Sequence, residues 1–196
     1  KPTQYELAST IIKTVPNILI EQTPIDPNKY KVEGSVGAGR WTDTPWISIF
    51  DRDITESAQK GFYIVYLFKR DMSGVYLSLN QGTTYIKNKY KGKNPRNKMK
   101  IVASALRELL SYDVELFPEI DIDLCATTDN AKNYMAAHIC GKYYPSTKLP
   151  NTDDMLSDLR KLMDVYSQLK KIMGTKSPEE FFDSLLYQDL IEDTHF

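Results

Sequence analysis

Two cysteines and two histidines in 196 residues give this sequence few means of building a metal or disulfide framework. Cys125 and Cys140 form no CxxC, so they read as buried thiols of a protein kept in a reducing, cytoplasmic compartment. His138 and His195 match no zinc spacing, and no metal or other cofactor is expected. No apolar stretch approaches the roughly 20 residues of a membrane span, and no signal peptide is visible, so no membrane association is expected. The nine glycines spell neither a Walker-type phosphate loop nor a dinucleotide fingerprint, and HExxH is absent. No nucleophile, base and orienting group occur together, which points to a binder rather than an enzyme.

The chain that remains is globular in composition, with 41% hydrophobic and 26% charged residues. Its length suits one domain with an appended helical piece, and it is long enough to bury a core without staples. Starting at Lys1, it reads as a piece of a longer protein. The net charge of -1 conceals a polarity. Residues 30–100 carry 13 Lys/Arg against 6 Asp/Glu, whereas residues 151–196 carry 5 against 10.

Periodicity predicts an α+β fold, an antiparallel β-sheet with helices packed on it and a C-terminal helical hairpin. "YELASTIIKTV" gives a first helix, ended by Pro16. "YKVEGSV" and "PWISIFD" read as strands around a glycine turn. "FYIVYLFKRD" and "VYLSLNQG" flank the turn Asp71, Met72, Ser73, Gly74 and spell a hairpin. A helix follows in "KMKIVASALRELLSY", a strand region in "VELFPEIDIDLC", and a short helix stopped by Gly141 in "NAKNYMAAHICGKYYP". The tail reads as two helices. The first is capped by Thr152 or Asp153 and stopped by Gly174; the second is capped by Ser177 with Pro178 at its first position. Residues 1–150 are therefore expected to form one α+β domain. Residues 151–196 form an acidic extension, packed on it or leading to an effector.

The densest functional signal is "KNKYKGKNPRNKMK", with Lys87, Lys89, Lys91, Lys93, Arg96, Lys98 and Lys100 and no acid. Unscreened like charges on a loop made mobile by Gly92 and Pro95 would be relieved by an anionic polymer. If about five of them meet phosphates, log K should fall against log salt with a slope of about -4 to -5. Such contacts hold a protein on DNA without reading sequence. Selectivity would come from aromatic surfaces near strand ends, Trp41, Trp46, Tyr63 and Tyr66, since a stacked base gains roughly 1–3 kcal/mol per ring.

"GSVGAGRWTDTPWISIFD" followed by "ESAQKGFYIVYLFKRDMSGVYLSLNQG" resembles the N-terminal DNA-recognition domain of McrB-type, modification-dependent restriction proteins. The clearest likeness covers residues 30–82, and a weaker one, including "PEIDID" and "GKYYPSTKLP", extends over the first 170. The resemblance implies a module that recognises methylated or hydroxymethylated cytosine in double-stranded DNA by swinging the base out of the duplex. An AAA+ GTPase motor and a nuclease, in the same or a partner chain, then act. It maps the base pocket onto Trp46, Tyr63 and Leu67, and the last two share a strand face. Ala38 stands where the best-known member has a stacking tyrosine, and Arg40 where it has an asparagine. The wall then comes from Trp41 or Trp46, or the pocket is wider and takes a bulkier modification. Gly37, Gly39 and Arg40, with the lysines from Lys87 to Lys98 and with Arg96, are the implied DNA contacts. The acidic helices would face away from the duplex. Two other classes stay open at this level: an enzyme on the flipped base or strand with Asp121 or Asp123 as acid, and a protein-interaction module whose basic segment binds an acidic partner.

Overall fold

The computed structural model describes residues 5–23 and 25–192, with side chains to residue 187; His195 lies outside them. The fold is α+β. Among the described residues a five-stranded antiparallel sheet runs in the order β1-β2-β3-β4-β5, with β1 Tyr30–Ser35, β2 Trp46–Asp51, β3 Phe62–Phe68, β4 Gly74–Gln81 and β5 Cys140–Pro145. β-Branched and aromatic residues dominate β3, and the positions of β3 and β4 are almost all buried. Their hairpin pairs Phe62 with Gln81 and Phe68 with Val75, around the predicted turn.

Alternation sends the two sides of the sheet to different cores. Ile47, Ile49, Ile64, Tyr66, Leu77 and Leu79 join the main core. It also takes in side chains of α1 Glu6–Ser9, α2 Val15–Gln22, α4 Pro95–Leu109, α6 Thr152–Met173 and α7 Pro178–Glu192. The other face carries Trp46, Phe50, Tyr63, Val65, Leu67 and Tyr76. It is covered by Ile122 and Leu124 and by Tyr134 and Met135 of α5 Asp129–Ala137. Gln81 ties the layers together, its side-chain amide donating to the carbonyls of Met99 and Ala137, each at 3.0 Å.

The C-terminal helices dock on the sheet. Leu156, Leu159, Leu162, Val165, Tyr166 and Leu169 of α6 are buried in the main core. The Tyr166 hydroxyl donates to the Phe62 carbonyl at 2.6 Å and accepts from the Asp51 N–H at 3.0 Å. Asn151, rather than Thr152 or Asp153, caps α6, accepting from the Asp154 N–H at 2.8 Å, and Gly174 follows its last residue. Ser177 and Glu180 exchange side-chain-to-backbone bonds as a capping box at the start of α7.

Four further expectations are corrected. Pro16 does not end the first helix. A π-helical segment, Thr10–Thr14, shifts the register, and Pro16 lies in the first turn of α2, which opens at Val15. Pro16 has no N–H to offer the Ile11 carbonyl five residues back. Gly34 of β1 instead closes on that oxygen, where a Cβ would stand only 1.9 Å away. "VELFPEIDIDLC" forms no strand but irregular chain with one isolated bridge, Glu119 to Gly141. Pro118 and alternating acids suit a covering segment with few ladder bonds better than a sheet interior. Gly141 is not a helix stop but lies inside β5, because α5 already ends at Ala137. Cys140 is buried as expected, whereas Cys125 is exposed.

Candidate functional site

The glycine turn between β1 and β2 is a closed loop of defined shape. Gly37 has φ 102°, and a Cβ there would stand 2.4 Å from the Arg40 carbonyl. The Thr42 N–H returns to the Val36 carbonyl at 2.8 Å, and Asp43 meets Arg70 at 3.4 Å. This tight base projects Ala38, Gly39, Arg40 and Trp41 outward, all exposed. One side of Trp41 has the Tyr5 ring as neighbour, 6.2 Å between centroids and tilted by 45°.

Facing the loop is the start of α5. Gly37, Ala38, Arg40 and Trp41 form one wall of an open cleft of about 560 Å³, and Thr128, Asp129 and Asn130 line the other. That second wall was not foreseen. "TDN" reads only as a helix start, and nothing in the sequence says that β5 and the covering segment bring it opposite the glycine turn.

The basic segment folds into the end of α3 Thr83–Lys89, a short turn, and the first turns of α4. Asn94, at φ 48°, caps α4 by accepting from the Asn97 N–H at 3.3 Å, and Pro95 occupies its first position, so Pro95 marks a helix start rather than a mobile loop. Its charges are also less free than their run suggests. Lys87 and Arg96 both pair with Asp129 of the cleft wall, and Lys89 pairs with Asp183 of α7. Lys98 lies over the Tyr90 ring, 5.1 Å from its centroid. Lys91, Lys93 and Lys100 are exposed and have no ion pair among the described residues. The hydrogen bond from Lys87, then the charges of Lys87 and Arg96, hold the Asp129 carboxyl below its usual range. Through Asp183, α7 touches the basic segment instead of facing away from it.

The remaining pocket residues share one sheet face. Trp46 and Leu67 are register partners, and Leu67 in turn faces Tyr76. Trp46 is half-buried, whereas Tyr63 and Leu67 are 0% exposed beneath the covering segment and α5. The Tyr63 hydroxyl donates to the carbonyls of Ala58 at 3.2 Å and Gln81 at 3.3 Å, and its ring meets Phe50 edge-on at 5.3 Å. Burial pushes that phenol well above its ordinary range. Trp41 and Ala38 thus line the open cleft, whereas Trp46, Tyr63 and Leu67 are not in its lining and belong to the covered sheet face.

Deeper on the same face Ser78, Asn80 and His138 make a sealed polar cluster. His138 donates from Nε2 to the Glu119 carbonyl at 2.8 Å, leaving Nδ1 to accept from the Ser78 hydroxyl at 2.7 Å. Asn80 donates to the same hydroxyl at 3.1 Å. Burial lowers the imidazole to about 4, so it stands neutral and serves packing. The Ser48 hydroxyl nearby is buried without a hydrogen-bond partner among the described residues.

Asp121 and Asp123 are both exposed. Asp123 accepts from the Cys125 N–H at 2.8 Å, the geometry of a turn residue. Among the described residues no group of three or more His, Cys, Asp or Glu could hold a metal ion, and no helix is long and apolar enough to cross a membrane.

Compared with known proteins, residues 1–171 match the family described as MrcB-like, N-terminal domain. The match runs from α1 through most of α6 and so includes both walls of the cleft. No curated protein matches the chain.

Proposed function

The chain belongs to the MrcB-like, N-terminal domain family, which fits a DNA-binding module of a restriction protein, and on that premise we propose that it recognises modified cytosine in duplex DNA by drawing the base out of the helix. The observation that carries this reading is the cleft itself. An exposed indole, Trp41, and an exposed guanidinium, Arg40, face the start of α5, and two further cations, Lys87 and Arg96, are tethered at that wall. A flat base can stack on Trp41 while Arg40 meets the backbone or fills the gap it leaves. In this reading the extruded base also meets Trp46, whose register partner is Leu67, with Tyr63 on the same covered sheet face. A base that reached Tyr63 itself would need the covering segment and α5 to move.

Extrusion costs a few kcal/mol, which stacking and hydrogen bonds to the base edge must offset. One extra methyl in an apolar pocket adds about 1–3 kcal/mol, so discrimination is tens- to a few hundred-fold rather than absolute. Ala38 leaves room on one side of the cleft, which favours acceptance of a substituent larger than methyl. Residues 1–150 act as the recognition unit. Helices α6 and α7 buttress the sheet and lead to an effector, an AAA+ GTPase or nuclease domain in the same chain or a partner.

The test is a titration of otherwise identical duplexes carrying cytosine, 5-methylcytosine, 5-hydroxymethylcytosine or glucosylated hydroxymethylcytosine, with Mg²⁺ present. At least one modified duplex should bind tenfold or more tighter than the unmodified one, with no strand cleavage and no base release. Equal affinity for all four removes modification sensing, and cleavage or base loss moves the chain to an enzyme class.

A further inference from the structure

Beside the cleft, a second hollow runs between α4 and α5. It consists of two connected parts, about 310 and 100 Å³, which share Lys100, Asp121, Met135 and Ala136. Arg96, Lys100 and Arg107 border it from α4 at spacings of four and seven residues, which places them on one helix face. Lys132 of α5 borders the larger part. At 1.5 Å per residue the α4 cations span about 16 Å, the axial length of about five nucleotides of one strand.

The charges of this groove are arranged rather than scattered. Both guanidinium groups are anchored: Arg96 Nε donates to Asn133 at 2.8 Å, and Arg107 donates to the Ile139 carbonyl at 3.0 Å. Lys100 and Lys132, between them, are exposed and have no ion pair among the described residues. Asp121 is the one acid in the lining of either part. His138, at the inner end, is neutral and adds no charge. Buried Ile122 and Ala136 line the groove as an apolar surface on which a sugar ring can rest. The groove lies next to the cleft, because Arg96 on its border pairs with Asp129 of the cleft wall.

We infer that the α4/α5 groove is a phosphodiester track, in which Lys100 and Lys132 hold one strand of the duplex whose modified base enters the neighbouring cleft. This rests on the duplex-binding reading above and adds to it a contact that positions without reading sequence. A row of cations beside a base-sized cleft fits a nucleic-acid strand better than an acidic peptide, which has no use for the indole of that cleft.

The test uses the whole chain with Lys100→Ala and Lys132→Ala combined. Both residues are exposed, and a control with Lys161→Ala and Lys171→Ala removes two exposed charges from α6. Affinities for modified and unmodified duplex are measured across a salt series, together with binding of an oligoglutamate peptide. Affinity for both duplexes should fall by the same factor, about tenfold or more at low salt. The salt slope should become shallower by about 2, and the control should leave both unchanged. Unchanged affinity and slope, while the unmutated chain binds DNA, overturn the track and leave the base-reading proposal standing. A loss confined to the modified duplex also overturns it, since a track is blind to the base. Loss of peptide binding with duplex binding retained assigns the groove to a protein partner instead. If the unmutated chain binds neither duplex, both proposals fall together.

Discussion

Arg96, in the first turn of α4, donates to Asp129, in the first turn of α5, and the pair stands where the loop cleft meets the α4/α5 groove. Asp129 also holds Lys87, so one carboxylate occupies two cations that the sequence presents as part of a single basic run. An incoming phosphate must compete with it.

Asp129→Asn should therefore tighten DNA binding. With both cations released, affinity for any duplex is expected to rise about three- to tenfold near 0.1 M salt, and the salt slope to steepen by about 1 to 2. Stability should change little, since exposed ion pairs contribute about 0–1 kcal/mol. Weaker binding in a folded variant would show that Asp129 contacts the DNA rather than guarding the cations.

Trp41→Ala isolates the stacking wall. The side chain is 36% exposed and touches no core cluster, so unfolding free energy should stay within about 0.5 kcal/mol of the parent. Affinity for the preferred modified duplex should drop by about 5- to 150-fold, corresponding to about 1–3 kcal/mol of lost stacking. The unmodified duplex should be affected much less. An equal loss on both would make Trp41 a general contact and not part of a base pocket.

The sheet was legible where side-chain chemistry is local. β-Branched and aromatic runs marked the β3–β4 hairpin, and Ser177 followed by Pro178 marked the start of α7. What failed were features set by distant partners. Pro16 reads as a stop, yet a π-helical turn absorbs it because Gly34 allows β1 to approach the Ile11 backbone. "PEIDID" alternates like a strand, but β5 pairs with β4 instead and leaves that segment as a cover. The cleft was half legible. Its Gly37 to Trp41 wall stands out in the sequence, whereas Asp129 and Asn130, almost ninety residues later, carry no sign of facing it. The basic run was visible as charge, and its neutralisation by Asp129 and Asp183 was not.

Ser48→Ala should stabilise the protein. Its hydroxyl is fully buried between Trp46 and Phe50 along the strand and has no partner among the described residues. Burying an unpaired hydroxyl costs about 1–3 kcal/mol, so a methyl in its place should raise the unfolding free energy by about 1 kcal/mol. Denaturant titration checks this; a loss of that size would reveal a hydrogen bond to Ser48.

Stability should fall between pH 6.5 and pH 4 because of His138. Its folded pKa is lowered by burial from 6.5 to about 4, so the unfolded chain takes up the proton first as pH drops through this window. The contribution is fully present above pH 6.5 and is lost progressively to pH 4, by up to about 3 kcal/mol. Urea midpoints at pH 7 and 4.5 measure it. His138→Gln, though less stable at pH 7, should show a much smaller drop; an equal drop would place the titrating group elsewhere.

Imino-proton NMR of a duplex with one modified cytosine tests base extrusion most directly. On saturation with the protein, the imino signal of the guanine opposite the modified base should vanish while those of the flanking pairs persist. If that signal survives in a complex whose neighbouring resonances have shifted, the base remains paired inside the helix and the cleft receives something else.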